Sequence, residues 1–142
     1  MNDYLLPVDD GLPARESGEW VKEKLFFVKR YIDTFEIAMR GRSWRRRTFI
    51  DLFSGPGKCV IRDTNEFIIG SPLLAIQTQF PFTDYYFNDL DQSTINSLAQ
   101  RVSSSGISKE HIHYFVGDAN RKVKDIFTEI DECDREFIKG DN

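Results

Sequence analysis

From Val21 onward, apolar residues recur at alternating spacings of four and three: Val21, Leu25, Val28, Ile32, Phe35 and Met39. That period puts them on one stripe of a helix, with Ser17 as its N-cap and Gly41 as its stop. Trp20, Phe26 and Tyr31 widen the stripe, so the helix is expected to lie in the core rather than to meet a partner. Residues 1–16 carry Pro7, Gly11 and Pro13 without any period and read as an arm lying over the domain. The pattern then changes kind. Phe49, Ile50 and Leu52 bracket Asp51, and the run breaks into Ser54-Gly55-Pro56-Gly57. This is the pattern of a buried parallel strand that ends in a glycine turn.

Residues 58–70 alternate apolar triplets (Cys59-Val60-Ile61 and Phe67-Ile68-Ile69) around Asp63-Thr64-Asn65, a small hairpin or extended loop. Ser71 and Pro72 open a short apolar helix containing Leu73, Leu74, Ala75 and Ile76, with Ser71 expected as N-cap and Pro72 at the first helical position. Phe80-Pro81-Phe82 ends it. Tyr85-Tyr86-Phe87 forms the second strand, and Asn88-Asp89-Leu90-Asp91 its exit. Asp91 caps a helix with Ile95, Leu98, Ala99 and Val102 on one face, and residues 103–106 stop it. Residues 111–116 form the third strand, Gly117-Asp118-Ala119-Asn120 the next turn, and Val123, Ile126, Phe127 and Ile130 the stripe of a last helix. Strand alternating with helix three times is the signature of an α/β fold, a parallel sheet flanked by helices.

Composition narrows this only a little. At 142 residues, with 40% hydrophobic and 13% aromatic content, the chain is one core-forming domain at most. It carries no apolar run long enough for a membrane span, and its opening residues do not read as a signal peptide. With Cys59 and Cys133 as its only cysteines, neither a disulfide framework nor a zinc site is indicated, and a reducing cytoplasm is the expected compartment. His111 and His113 share one side of a strand, but no third metal ligand lies near them in sequence. The net charge of −4 opposes a generally cationic nucleic-acid binder, although Arg40, Arg42, Arg45, Arg46 and Arg47 crowd one segment. That cluster is either a solvated connection or a phosphate-contacting patch.

The chemistry sits at the strand ends. A nucleoside site on such a sheet needs close backbone approach after the first strand, which Gly55 and Gly57 permit. It needs a carboxylate after the second strand to accept both ribose hydroxyls, about 20 residues beyond the glycines. Asp89 lies 32 positions past Gly57, of which residues 58–70 account for 13, leaving 19. Asp118, past the third strand, can accept a hydrogen bond from an adenine amino group, and Asp51 suits the cationic end of S-adenosylmethionine (SAM). Each has a plainer alternative: a tight turn at the glycines, a loop residue at Asp89, a Gly-Asp turn at Asp118. Phosphate-binding motifs fail on named residues. A P-loop wants a hydroxyl where Cys59 stands, and a dinucleotide fingerprint wants a third glycine at Val60.

The successive motifs FIDLFSGPG, GSPLLAIQ, FNDLD and VGDAN resemble the three-Cys-motif partner (TcmP) family. The lead-in helix with its Trp20-to-Lys24 start is similar too, so the resemblance covers about residues 18–120. Asp-Leu-Phe-Ser-Gly alone is also similar to the first motif of DNA cytosine-5 methyltransferases. The resemblance implies a Rossmann-like class I methyltransferase fold, with residues 1–47 as arm and lead-in helix and residues 48–142 as the N-terminal half of the SAM-binding domain. It implies SAM as cofactor, held by Asp51, Phe53, Ser54, Gly55, Gly57, Asp89, Leu90, Asp118 and Ala119. It also implies a bacterial three-Cys-motif protein as partner. No Asp-Pro-Pro-Tyr type loop follows, so no catalytic residue is assigned, and the chain is expected to be the first part of a longer enzyme, inactive alone. Its first strand would then be an open sheet edge, a route to homo-oligomers. The other readings are a non-catalytic binding or regulatory subunit and a nucleic-acid methyltransferase fragment using the arginine cluster.

Overall fold

A computed structural model describes residues 3–41, 46–79, 81–105 and 110–140. Among these residues a 3-10 turn (Asp3–Leu5) is followed by six strands and four α-helices, in the order β1 (Arg15–Ser17), α1 (Trp20–Met39), β2 (Thr48–Asp51), β3 (Lys58–Ile61), β4 (Phe67–Ile69), α2 (Ser71–Ile76), β5 (Asp84–Asp89), α3 (Gln92–Ser104), β6 (Ile112–Val116) and α4 (Ala119–Gly140). The main sheet is wholly parallel, in the order β2-β5-β6. A second, mixed sheet in the order β1-β3-β4 pairs β1 parallel and β4 antiparallel to β3. The architecture is α/β, as the alternation of periods predicts.

The aromatic strand residues explain the layering. Tyr85, Phe87 and Ile112 point to one face, where they pack with Ile32 of α1, Leu73 and Ile76 of α2, and Leu98 and Val102 of α3. Phe49 and Phe82 extend this core as a run of tilted and edge-on rings about the Tyr85 ring. Residues one position along the strands point the other way, as the pleat requires. Tyr86 stacks on His113 there at 4.5 Å, and His113 meets Glu129 of α4 at 3.2 Å. Ile126 of α4 is fully buried. Helices therefore cover both faces, so β5, in the centre, is buried along its whole length. Burial pushes the Tyr86 and Tyr114 hydroxyls up to about 12.

Several local expectations are corrected. Ser17 is not a helix cap: it lies in β1, and α1 starts at Trp20 after Glu19 without a side-chain cap. The strand wins because Arg15, Glu16 and Ser17 find backbone partners along β3. Trp20, Phe26 and Tyr31 do not widen the core. Together with Phe27 and Ile37 they face solvent, Tyr31 being 75% exposed, while Val21, Leu25 and Ile32 carry the burial. Phe127 of α4 is exposed too, beside buried Ile126. Gly70, not Ser71, occupies the N-cap of α2. The hairpin over β3 and β4 forms, and Asp91 caps α3 by accepting from the Ser93 amide. Phe80, Gly106, Arg42 and Arg45 lie outside the described residues. No helix among the described residues is long and apolar enough to cross a membrane.

The arm is bound to the domain by a buried ionic cluster. Lys58, at the end of the glycine turn, and Arg101 of α3 are fully buried and both contact Asp10. Arg101 donates to both Asp10 oxygens at 2.8 Å and to the carbonyls of Leu12, Pro13 and Pro56. Lys58 reaches the carbonyls of Asp3 and Val8. Every charge is paired and hydrogen-bonded, as burial demands. Burial pushes the Asp10 carboxyl up, but the hydrogen bonds from Arg101 and Lys58 outweigh it and hold the group well below the usual carboxylate range.

Candidate functional site

The loops leaving β2, β5 and β6 meet at the carboxyl edge of the main sheet, the side where open α/β sheets take ligands. Their backbones are tied together. The Ser54 amide donates to the Asn88 carbonyl at 2.9 Å, and the Gly117 amide to the Asp89 carbonyl at 3.0 Å. Asn88, fully inside, donates its amide nitrogen to the carbonyls of Leu52 and Gly117, both at 3.1 Å. This residue was missed by the motif reading. Its signal was a polar side chain directly after three consecutive aromatic residues.

Asp89 sits at the last position of β5, with its side chain 9% exposed. Its Oδ1 accepts from the Gly55 amide at 3.2 Å, so the acid and the glycine turn are in direct contact. Its Oδ2 accepts from the Asp91 amide at 3.3 Å. Ser54 and Gly55 are both buried beneath this contact. Phe53 and Leu90, adjoining the turn and the acid, are both largely exposed. Two large apolar side chains are thus left in solvent next in sequence to the turn and the acid.

The two glycines do different work. Gly55 has φ +69°, and a Cβ there would stand 3.3 Å from the Arg15 guanidinium, at the open side of the turn. Gly57 has φ +102°, and its Cβ would press on Leu98 and Leu73 within the core. Gly57 is therefore required by packing, while Gly55 faces the site. Asp51, at the end of β2, accepts from the Phe53 amide at 3.1 Å and from the Ser71 hydroxyl. The Ser71 side chain thus holds Asp51 instead of capping α2. Asp118 and Ala119 follow Gly117 at the start of α4, Asp118 being exposed.

A cavity of about 180 Å³ adjoins the turn on its α1 side. Arg15, Trp20, Lys24 and Arg62 line it with Ser54 and Gly55, and none of those first four was singled out as a site residue from sequence. Cys59 lines it as well, its thiol pushed up by burial against a hydrogen bond with Ser17. A larger cavity, about 510 Å³, lies between α1 and the end of α2 and does not touch the glycine turn. The described members of the arginine cluster are committed within the chain. Arg46 is paired with Asp84 at 2.6 Å, Arg40 with Glu36 at 2.8 Å, and Arg47 donates to the Pro81 carbonyl. Among the described residues no group of three His, Cys, Asp or Glu side chains could hold a metal ion.

The fold is that of an α/β domain whose strand-end loops meet at the carboxyl edge of its parallel sheet. No protein-family model, curated protein or solved structure matches the chain.

Proposed function

We propose that the carboxyl edge of the main sheet binds an adenosyl ligand of the SAM type, and that the chain is the SAM-binding portion of a methyltransferase-like protein of the TcmP kind. One observation carries this reading: the buried Asp89 carboxylate at the end of the second sheet strand touches the Gly55 amide of the first turn. A nucleoside lying across those two elements would offer its ribose hydroxyls to Asp89 and its base to the exposed side chains of Phe53 and Leu90. Asp118, which follows β6, would meet the base, and Asp51, the last residue of β2, would serve the cationic end of SAM. The class I methyltransferase fold belongs to this proposal, as does a three-Cys-motif partner. Methyl transfer from SAM to an acceptor would need chiefly the alignment of two reactants.

Isothermal titration of the chain with SAM and with S-adenosylhomocysteine tests the reading. Binding to the wild type is expected, with a loss of about tenfold or more in Asp89→Ala, since a hydrogen bond to a charged group contributes about 1.5–3 kcal/mol. A folded protein that ignores both ligands refutes it. A second reading, a non-catalytic binding subunit, draws on the aromatic face of α1, where five large apolar side chains stand in solvent. It expects the folded chain to be indifferent to both ligands.

A further inference from the structure

Arg15 is held where a ligand would have to pass. Its backbone is pinned in β1 opposite Cys59 of β3, and five residues upstream the arm is clamped by the buried Asp10 cluster. Only the side chain is free to move, and it is 46% exposed. The guanidinium lies 3.0 Å from Asp89 Oδ1 and fills the gap beside Gly55. A carboxylate offers about four lone-pair positions. Arg15, the Gly55 amide and the Asp91 amide occupy three of them. A ribose diol brings two hydroxyl donors, so Asp89 can take both only when Arg15 withdraws.

The neighbouring cavity shows where Arg15 can go and what would meet it there. Besides Arg15 it is lined by Lys24 and Arg62, neither in an ion pair among the described residues. Lys58, also in the lining, is neutralised by Asp10, and Glu16 is the acid on that wall. Trp20 lines it as well, with an exposed ring. The surplus charge is positive, and the class of group that suits it is a carboxylate.

We infer that Arg15 is an exchange residue, paired with Asp89 in the empty protein and transferred to the ligand's carboxylate when a ribose takes its place. This rests on the adenosyl reading above. Arg15 is then a specificity-determining residue: a ligand with an amino-acid tail restores the ion pair that its ribose breaks, and a ligand without the tail does not.

The test compares S-adenosylhomocysteine with methylthioadenosine, which keeps the adenosine thioether and lacks the amino-acid end. Titrations use the wild type, Arg15→Ala and Arg15→Gln, with folding checked by circular dichroism. In the variants methylthioadenosine is expected to tighten by about two- to fivefold, the range of a partly exposed ion pair, while S-adenosylhomocysteine changes less, because the pair it breaks and the pair it makes are both removed. Weakening of both ligands alike makes Arg15 a plain structural contact and overturns the exchange. Tightening of both alike makes it a plug without a carboxylate role and overturns it too. If neither ligand binds the wild type or the variants, the adenosyl reading itself falls and the exchange falls with it.

Discussion

At the scale of single residues, the glycine turn separates two kinds of constraint that the same letter conceals. Gly55→Ala introduces strain at φ +69°, but its methyl meets the movable end of the Arg15 side chain. A loss of about 1 kcal/mol is expected. Gly57→Ala adds the same kind of strain and drives a methyl to 3.2 Å from Leu98 and 3.3 Å from Leu73. Overpacking of a filled core typically costs about 1–3 kcal/mol beyond the strain. Urea midpoints should therefore fall clearly further for Gly57→Ala than for Gly55→Ala, and equal shifts would refute the distinction. Asn88 is the other residue of consequence here. Asn88→Ala removes both bonds that draw the β2 and β6 loops together, with an expected loss of about 1–3 kcal/mol. Amide exchange should rise at Ser54 and Gly117, whose bonds lie on either side of it.

At the scale of elements, α1 shows how far a helical period reaches. Val21, Leu25 and Ile32 are buried as their spacing implies. The remaining large apolar residues on the helix follow no second buried face: Trp20, Phe26, Phe27, Tyr31 and Ile37 stand in solvent. A helix twenty residues long can be apolar around much of its girth and still bury only one side. Ile32→Ala should cost about 2–5 kcal/mol, because it empties a site between α1 and the main core. Tyr31→Ser should stay within about 0.5 kcal/mol of the wild type. Thermal melts of the two variants check this, and comparable losses would mean that the aromatic face is covered. The hairpin of β3 and β4 was readable for a different reason, since two apolar triplets around a polar turn leave few other arrangements.

At the scale of the whole molecule, the arm and the domain are one ionic assembly. Asp10 joins Lys58 and Arg101, and Arg101 in turn holds the Pro56 carbonyl inside the glycine turn. Removing the one acid strands two buried cations. Asp10→Ala is expected to lose about 3–5 kcal/mol, the usual cost of breaking a buried pair from one side. The pH dependence has a defined sign. The folded-state pKa of Asp10 is depressed, so its contribution is complete above the ordinary carboxylate value near 4 and shrinks as pH falls below it. Denaturation followed at pH 7, 5 and 3 should show the wild type converging on Asp10→Asn only below about pH 4. A gap between the two proteins that stays constant down to pH 3 would rule out this linkage.

What the chain encodes locally was open to reading: the strand-turn-helix order, the polar break at Ser54 to Gly57, the Asp91 cap and the register of acids past the glycines. Each depends on neighbours within a few positions, where period, turn chemistry and capping act directly. The placement of Asp89 at the end of β5 follows from the same local arithmetic once residues 58–70 are set aside. Arg15 could not be found this way. It lies 74 positions from Asp89, in a three-residue strand with no alternation to announce it. Asp10 and Arg101 are 91 positions apart, and nothing about an aspartate in an aperiodic arm marks it for burial. Ser17 and Trp20 were misplaced for a related reason: pairing with β3 and the limits of one helix's contact surface are properties of the assembled chain. Local sequence determined which elements exist and where the acids fall along them. Only the tertiary structure decided which cations face those acids, because opposite charges far apart in sequence find each other only after the backbone has closed.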